Sequence, residues 1–226
     1  MCLEIYPSFI SGKIQVPPSK SYMQRALVAA LLTEGYTKIS NPGHSNDDKN
    51  VLHSIENLGA EISYSGNNLL IRGGLHLKQN NIHAGESGLG IRLLAPVAGL
   101  FNSNISITGE GSLLKRPMHV MEKSLNNLGA SCSTNNNYLP VIVKGPIKGG
   151  EIELDGSLSS QFISGLLFTL PMVKNNSILN VKKLKSKPYI DLTLDILKSH
   201  GIKIKNNNYK TFYIKGNQQY KPAEHF

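Results

Sequence analysis

Asn57-Leu58-Gly59-Ala60 recurs as Asn127-Leu128-Gly129-Ala130 and, more loosely, as Ser199-His200-Gly201-Ile202. The three glycines are 70 and 72 residues apart, and their surroundings repeat with them. Ahead of each lies an apolar stripe at helical spacing: Val51, Leu52, Ile55 and Leu58; then Met121, Leu125 and Leu128; then Leu194 and Leu197. Each glycine therefore reads as a helix C-cap, where the backbone turns left-handed and a Cβ is costly. Past each cap the pattern predicts a short strand at residues 61–64, 131–133 and 203–205. A second strand follows at 69–71, 141–143 and 212–214, closed by Gly73, Gly145 and Gly216. The asparagines at 67–68, 135–137 and 206–208 read as hairpin turns between them.

Working backward, each unit opens with a strand and a helix, the helices spanning about residues 21–32, 88–100 and 159–170. Strands near 38–40, 105–108 and 178–181 follow. The chain is thus α/β, three β-α-β-α-β-β units at about residues 12–73, 77–145 and 150–216. Residues 26–32 are apolar on every side, as in a helix surrounded by protein. One such unit cannot bury its helix alone, so three are expected around a pseudo-three-fold axis with the apolar helices inside.

Composition narrows the partners. Lys and Arg number 24 against 15 Asp and Glu, a net charge of +9 over 226 residues. That excess suits nucleic acid or a phosphorylated metabolite, or serves only solubility. Two cysteines, Cys2 and Cys132, cannot build a disulfide framework and fit a reducing compartment. No stretch has the apolar length of a membrane span, and the first residues lack a basic-then-apolar leader pattern. The seven histidines show no ligand spacing, so no metal is expected.

Polar and basic residues recur at the helix starts. In the first unit Pro17-Pro18-Ser19-Lys20-Ser21 leads into a helix, with Arg25 one turn later on the side of Ser21. Backbone N–H groups, the helix dipole, a lysine and a guanidinium fork together suit a phosphate; a plain serine N-cap is the alternative. The second unit offers Gly85-Glu86-Ser87-Gly88-Leu89-Gly90-Ile91-Arg92, then Lys115-Arg116-Pro117, with Pro117 expected at a first helical position. The third offers Ser159-Ser160-Gln161 and then Ser186-Lys187-Pro188-Tyr189-Ile190-Asp191, preceded by Lys182, Lys183 and Lys185. Each is weak alone. The repeat, however, places all of them at equivalent points, where a three-fold arrangement gathers them at one end.

Pro18-Ser19-Lys20-Ser21 with Arg25, Lys115-Arg116-Pro117, Ser159-Ser160-Gln161-Phe162 and Ser186-Lys187-Pro188-Tyr189-Ile190-Asp191 occur in that order. Together they resemble the N-terminal half of the EPSP synthase (3-phosphoshikimate 1-carboxyvinyltransferase) family. The resemblance implies an enolpyruvyl transferase-like fold and transfer of the carboxyvinyl group of phosphoenolpyruvate to the 5-hydroxyl of shikimate 3-phosphate, releasing phosphate. No cofactor or metal is implied. Carried over by position, Lys20, Ser21, Arg25, Ser159, Ser160, Gln161 and Ser186 would hold shikimate 3-phosphate. Lys20, Gly88, Arg116 and Gln161 would contact phosphoenolpyruvate, with Lys20 also catalytic as proton donor or charge stabiliser. The family's usual Asn-Ala-Gly-Thr-Ala-Met-Arg is Glu86-Ser87-Gly88-Leu89-Gly90-Ile91-Arg92 here, keeping only Gly88 and Arg92.

Family members are roughly twice this length. The resemblance therefore implies that residues 1–15 belong with a second domain absent from this chain, and that residues 16–226 bind substrate without turnover alone. It further implies a cytoplasmic monomer with no nucleic-acid or membrane partner. Two other readings rank below. UDP-N-acetylglucosamine enolpyruvyl transferases carry a reactive cysteine where this chain has Leu113-Leu114. A basic module related to RNA-terminal phosphate cyclases would need a continuous basic stripe with stacking aromatics.

Overall fold

A computed structural model describes residues 3–4, 6–157 and 160–226, so the readings of Cys2 and Ser159 lie outside the described residues. The first unit contains α1 (Lys20–Leu31), β1 (Gly35–Ser40), α2 (Asn46–Leu58), β2 (Glu61–Ser65) and β3 (Asn68–Gly73). The second runs β4 (Asn81–His83), α3 (Gly88–Ala98), β5 (Ile105–Thr108), α4 (His119–Asn127), β6 (Ser131–Asn135) and β7 (Tyr138–Lys144). The third repeats it as β8 (Glu151–Asp155), α5 (Ser160–Thr169), β9 (Ser177–Lys182), α6 (Lys187–Ser199), β10 (Ile204–Asn207) and β11 (Thr211–Ile214). A last strand, β12 (Glu224–His225), stands outside the three units.

Each unit makes a four-stranded sheet in the same order: β4-β5-β7-β6, β8-β9-β11-β10 and β12-β1-β3-β2. The opening strand pairs parallel to the next, and the remaining pairs are antiparallel. The first sheet departs from expectation. Residues 11–19 form no strand, and the opener's place beside β1 is taken by β12, with Ile39 opposite His225. Pro17 and Pro18 have no N–H to give a ladder, which disfavours strand at that point.

The helices divide by burial as their sequences require. In α1, α3 and α5 nearly every residue is buried, and α3 packs against both α1 and α5. The amphipathic α2, α4 and α6 lie outside, each burying one stripe. Gly165 of α5 lets the two inner helices meet, because a Cβ there would stand 2.1 Å from the Arg92 carbonyl oxygen of α3. The three C-cap glycines do turn left-handed, at φ 133°, 89° and 77° for Gly59, Gly129 and Gly201. The hairpin turns also stand, with Asn136, Asn137 and Asn208 at positive φ, although Asn68, Asn135, Asn206 and Asn207 belong to the flanking strands.

One start differs: α4 begins at His119 with Met118 as its N-cap, so Pro117 precedes the helix instead of opening it. Met118 donates its N–H across to the Asn137 carbonyl, which draws that residue out of the helix.

The glycines closing the second strands share one reason. A Cβ on Gly73 would lie 1.9 Å from the Ala30 oxygen, one on Gly145 2.2 Å from the Gly99 oxygen, and one on Gly216 2.5 Å from the Val173 oxygen. These are carbonyls at the end of the inner helix of the first two units and, in the third, just past the 3-10 turn at Leu170–Met172 that follows α5. The clashing atoms are backbone, so relief requires moving a helix end against its sheet. Gly73→Ala is accordingly expected to lower the unfolding free energy by about 1–3 kcal/mol, read from the urea midpoint at unchanged slope.

Candidate functional site

The N-terminal ends of α1, α3, α5 and α6 converge at one end of the molecule around a cavity of about 380 Å³. Its walls are Ser21 and Arg25 from α1, Leu89 and Arg92 from α3, Ser160 and Gln161 from α5, Ser186 and Tyr189 at the start of α6, and Arg116. Of the residues expected from the sequence to hold substrate, Ser21, Arg25, Arg116, Ser160, Gln161 and Ser186 meet at this cavity.

Local sequence explains how these side chains become available. Ser19, not Ser21, caps α1 by accepting from the Tyr22 N–H, so the serine cap and the site serine are different residues. Ser87 caps α3 in the same way and donates to the Gln24 Oε1 at 3.0 Å, tying the two helix starts together. Ser186 is the N-cap of α6, yet it sits at φ 58° and makes no side-chain cap bond. A non-glycine residue in that conformation is strained by roughly 1–2 kcal/mol, and here its hydroxyl is left uncommitted to the helix.

Arg25 is the central charge. It is 1% exposed and has no carboxylate partner among the described residues. Its Nε donates to Thr193 Oγ1 at 2.9 Å and its Nη1 to the Ser21 carbonyl at 2.8 Å, with Nη2 reaching Ser164 Oγ at 3.4 Å and the Tyr189 ring beside it. Burial lowers its pKa to about 10, which leaves it cationic at neutral pH. Arg92 is lowered too, first by burial and then by Arg116 close by. Its Nη1 donates to the Gly88 carbonyl at 2.8 Å. A Cβ on Gly88 would lie 2.2 Å from Arg116 Nη1 and 2.9 Å from Arg92 Nη1, so glycine is what lets both guanidiniums approach the helix start. Three guanidiniums, none with an ion-pair partner among the described residues, therefore face one cavity built from helix N-termini. That is an environment for a multiply charged anion.

Lys20 is placed otherwise. Its Nζ pairs with Asp47 Oδ2 at 2.7 Å, at the start of α2, and it does not line the cavity. Gly88 backs Arg116, and Ser159 is not described. Arg92 and Tyr189 also line the cavity and were not among the expected residues; Tyr189 stands inside a motif quoted for the resemblance, Arg92 in the segment that departs from it. Glu86, in the divergent segment, accepts from the Ser112 N–H at 2.7 Å, and that bond is the main reason its carboxyl pKa is lowered. Cys132 is buried, and desolvation raises its thiol to about 12, which removes it as a nucleophile. Among the described residues no group of three or more metal-ligating side chains occurs, and no helix is long and apolar enough to cross a membrane.

Three repeated units with buried inner helices, with a cationic cavity at their helix starts, make up the enolpyruvyl transferase-like fold. Residues 6–226 match the family model described as EPSP synthase (3-phosphoshikimate 1-carboxyvinyltransferase), and the chain belongs to that family. Relatives named 3-phosphoshikimate 1-carboxyvinyltransferase include one from Clostridium perfringens (strain ATCC 13124), 41% identical over 98% of this chain and 53% of its own length. Another, from Clostridium novyi (strain NT), is 40% identical over 96% of this chain and 53% of its own. The chain thus spans about half the length of the curated relatives it matches. The solved EPSP synthase from Acinetobacter baumannii superposes on 94% of this chain and 48% of its own with a TM-score of 0.82 at 24% identity, a likeness of fold.

Arg25→Met should leave the unliganded protein at least as stable as the wild type, because a desolvated charge without a counterion goes and the flanking hydroxyls keep their own acceptors. Melting curves without and with inorganic phosphate check this. The wild type should gain stability with phosphate and the variant should not.

Proposed function

We propose that this chain is the shikimate 3-phosphate-binding part of an enzyme transferring the carboxyvinyl group of phosphoenolpyruvate to the 5-hydroxyl of that substrate, with release of phosphate. The observation that supports it best is Arg25, buried without a carboxylate partner and aimed with two further guanidiniums into one cavity. In this reading Ser21, Arg25, Ser159, Ser160 and Ser186 hold the phosphate and ring of shikimate 3-phosphate. Gln161 lies between the two substrates. Arg116 and the backbone at Gly88 take phosphoenolpyruvate, and Arg92 adds to its counter-charge.

Chemically, the acceptor hydroxyl gives up its proton to a base and bonds to the central carbon of phosphoenolpyruvate, while the methylene carbon takes a proton and becomes a methyl group. The C–O bond to phosphate then breaks, phosphate leaves, and the methyl gives a proton back to restore the double bond. Positive charge develops at the central carbon, and a protein cation that loses a proton at that moment assists more than a fixed one. Lys20 fits that role by chemistry, and serving it requires exchanging Asp47 for the substrate. The exposed apolar residues Leu3, Tyr6, Phe9, Ile10, Ile14 and Val16 support assigning residues up to about 15 to packing against a further domain. On that basis the chain by itself binds shikimate 3-phosphate without turning over.

Calorimetry on the 226-residue chain tests the reading. Shikimate 3-phosphate should bind, and Arg25→Ala should weaken it at least about tenfold, since a charge-assisted bidentate contact is lost. Ser186→Ala should weaken binding about three- to tenfold with little change in melting temperature, because the helix does not use that hydroxyl. Unchanged affinity in the Arg25 variant, or measurable carboxyvinyl transfer by the chain alone, would count against it.

A further inference from the structure

Two histidines are buried where the repeat calls for aliphatic residues. In the three sheets one row reads Ile82, Ile107, Val141; another Ile152, Leu179, Phe212; and the third His225, Ile39, Leu69. His200 likewise precedes the C-cap glycine Gly201 where Leu58 and Leu128 precede Gly59 and Gly129. His200 is fully buried and His225 is 1% exposed. The fold is built twice over without these imidazoles, so packing alone does not account for them.

Their hydrogen bonds run in one direction. Thr33 Oγ1 donates to the Ala29 carbonyl at 2.8 Å, so it can only accept from His200 Nδ1 at 3.0 Å. The Lys221 carbonyl, 2.9 Å from the same nitrogen, also only accepts. His200 must therefore carry its proton on Nδ1 and accept on Nε2. His225 Nε2, 2.9 Å away, must donate to it, which leaves His225 Nδ1 to accept from the Tyr22 hydroxyl at 2.8 Å. Tyr22 stacks edge-on against His225 and lies in the first turn of α1, next to Ser21, whose carbonyl holds Arg25.

We propose that Tyr22, His225 and His200 form a positioning chain that fixes the first turn of α1, and with it Ser21 and Arg25, and that holds only while both imidazoles are neutral. A proton added to His200 Nε2 sets two N–H groups face to face across 2.9 Å, and one added to His225 Nδ1 opposes the Tyr22 O–H. The groups facing the pair are Tyr22 and Thr33 from α1 and the residues just after it, Tyr220, Lys221 and Glu224 from the closing segment, and Asp195 of α6, which acts on Tyr22. Glu224 is engaged by Lys38 on the outside, and among the described residues no carboxylate forms an ion pair with either imidazole. Desolvation, then His225, lowers His200 to about 4, and desolvation lowers His225. With folded values below the unfolded value of about 6.5, the stabilisation is complete above pH 6.5 and is lost as pH falls from there toward 4.

The inference rests on the shikimate 3-phosphate reading for its functional arm, and the test separates the two. Long-range proton–nitrogen NMR on the full chain at pH 7.5 should show His200 protonated on Nδ1 and His225 on Nε2, both titrating well below an ordinary histidine. The double variant His200→Leu with His225→Ile restores the residues of the other units. It should fold, lose the decline in stability between pH 6.5 and 4, and bind shikimate 3-phosphate about three- to tenfold more weakly. His225→Gln, which keeps an acceptor for Tyr22 and a donor for His200, should recover affinity to within about twofold. The other tautomer, an unshifted titration, or wild-type affinity in the double variant would overturn the proposal. Absence of binding in the wild type itself, with the tautomers as stated, would instead refute the substrate reading.

Discussion

The carbonyls of Asn57, Leu128 and His200, at the ends of the three outer helices, each accept an N–H from a lysine 20 or 21 residues further on: Lys78, Lys148 and Lys221, at 2.8, 2.8 and 2.9 Å. A helix end leaves carbonyls unpaired, and burying them unpaired is costly. Here the chain leaving each sheet returns to satisfy them. The inner helices are finished the same way, with Gly74 donating to Leu31, Ile147 to Gly99 and Asn217 to Val173. Satisfying these six carbonyls, at or just beyond helix ends, with returning backbone forces each sheet close against its helices. That proximity is why Gly73, Gly145 and Gly216 cannot carry a Cβ.

Fixing the helices' C-terminal ends from below leaves their N-terminal ends gathered and open above. The site is the consequence. Buried Arg25 is held by neutral oxygens of Thr193, Ser164 and Ser21, which orient it without cancelling its charge. Arg92 and Arg116 repel one another and stay close only because Gly88 gives them room. Such an arrangement is poor for stability and good for an anion, a conflict typical of functional sites.

Much of the fold was legible in the sequence because its signals are local. A C-cap glycine, an asparagine turn and a strand of alternating burial such as β7 are each written within a few residues. The strand expected ahead of α1 failed for a different reason. Its place is filled by Glu224–His225, and pairing between residues some 185 apart leaves no mark at residues 11–19 beyond two prolines. The site was legible to the extent that helix starts are: Ser21, Ser160 and Ser186 follow from the repeat. Arg92 stands one turn inside α3 much as Arg25 does in α1, but its segment was read for its glycines, and the uncharged ring of Tyr189 carries no mark of an anion site.

By itself the sequence determined the three units, the inner and outer roles of their helices and the set of polar groups offered at their N-terminal ends. These follow from periodicity and backbone chemistry, which act over one or two turns of chain. Only the tertiary structure decided which of those groups meet. It turned Lys20 toward Asp47 and Arg25 into the cavity, completed the first sheet with the last strand, and set His200 against His225. Those outcomes depend on distances between segments remote in sequence, and packing, which fixes such distances, has no period to read.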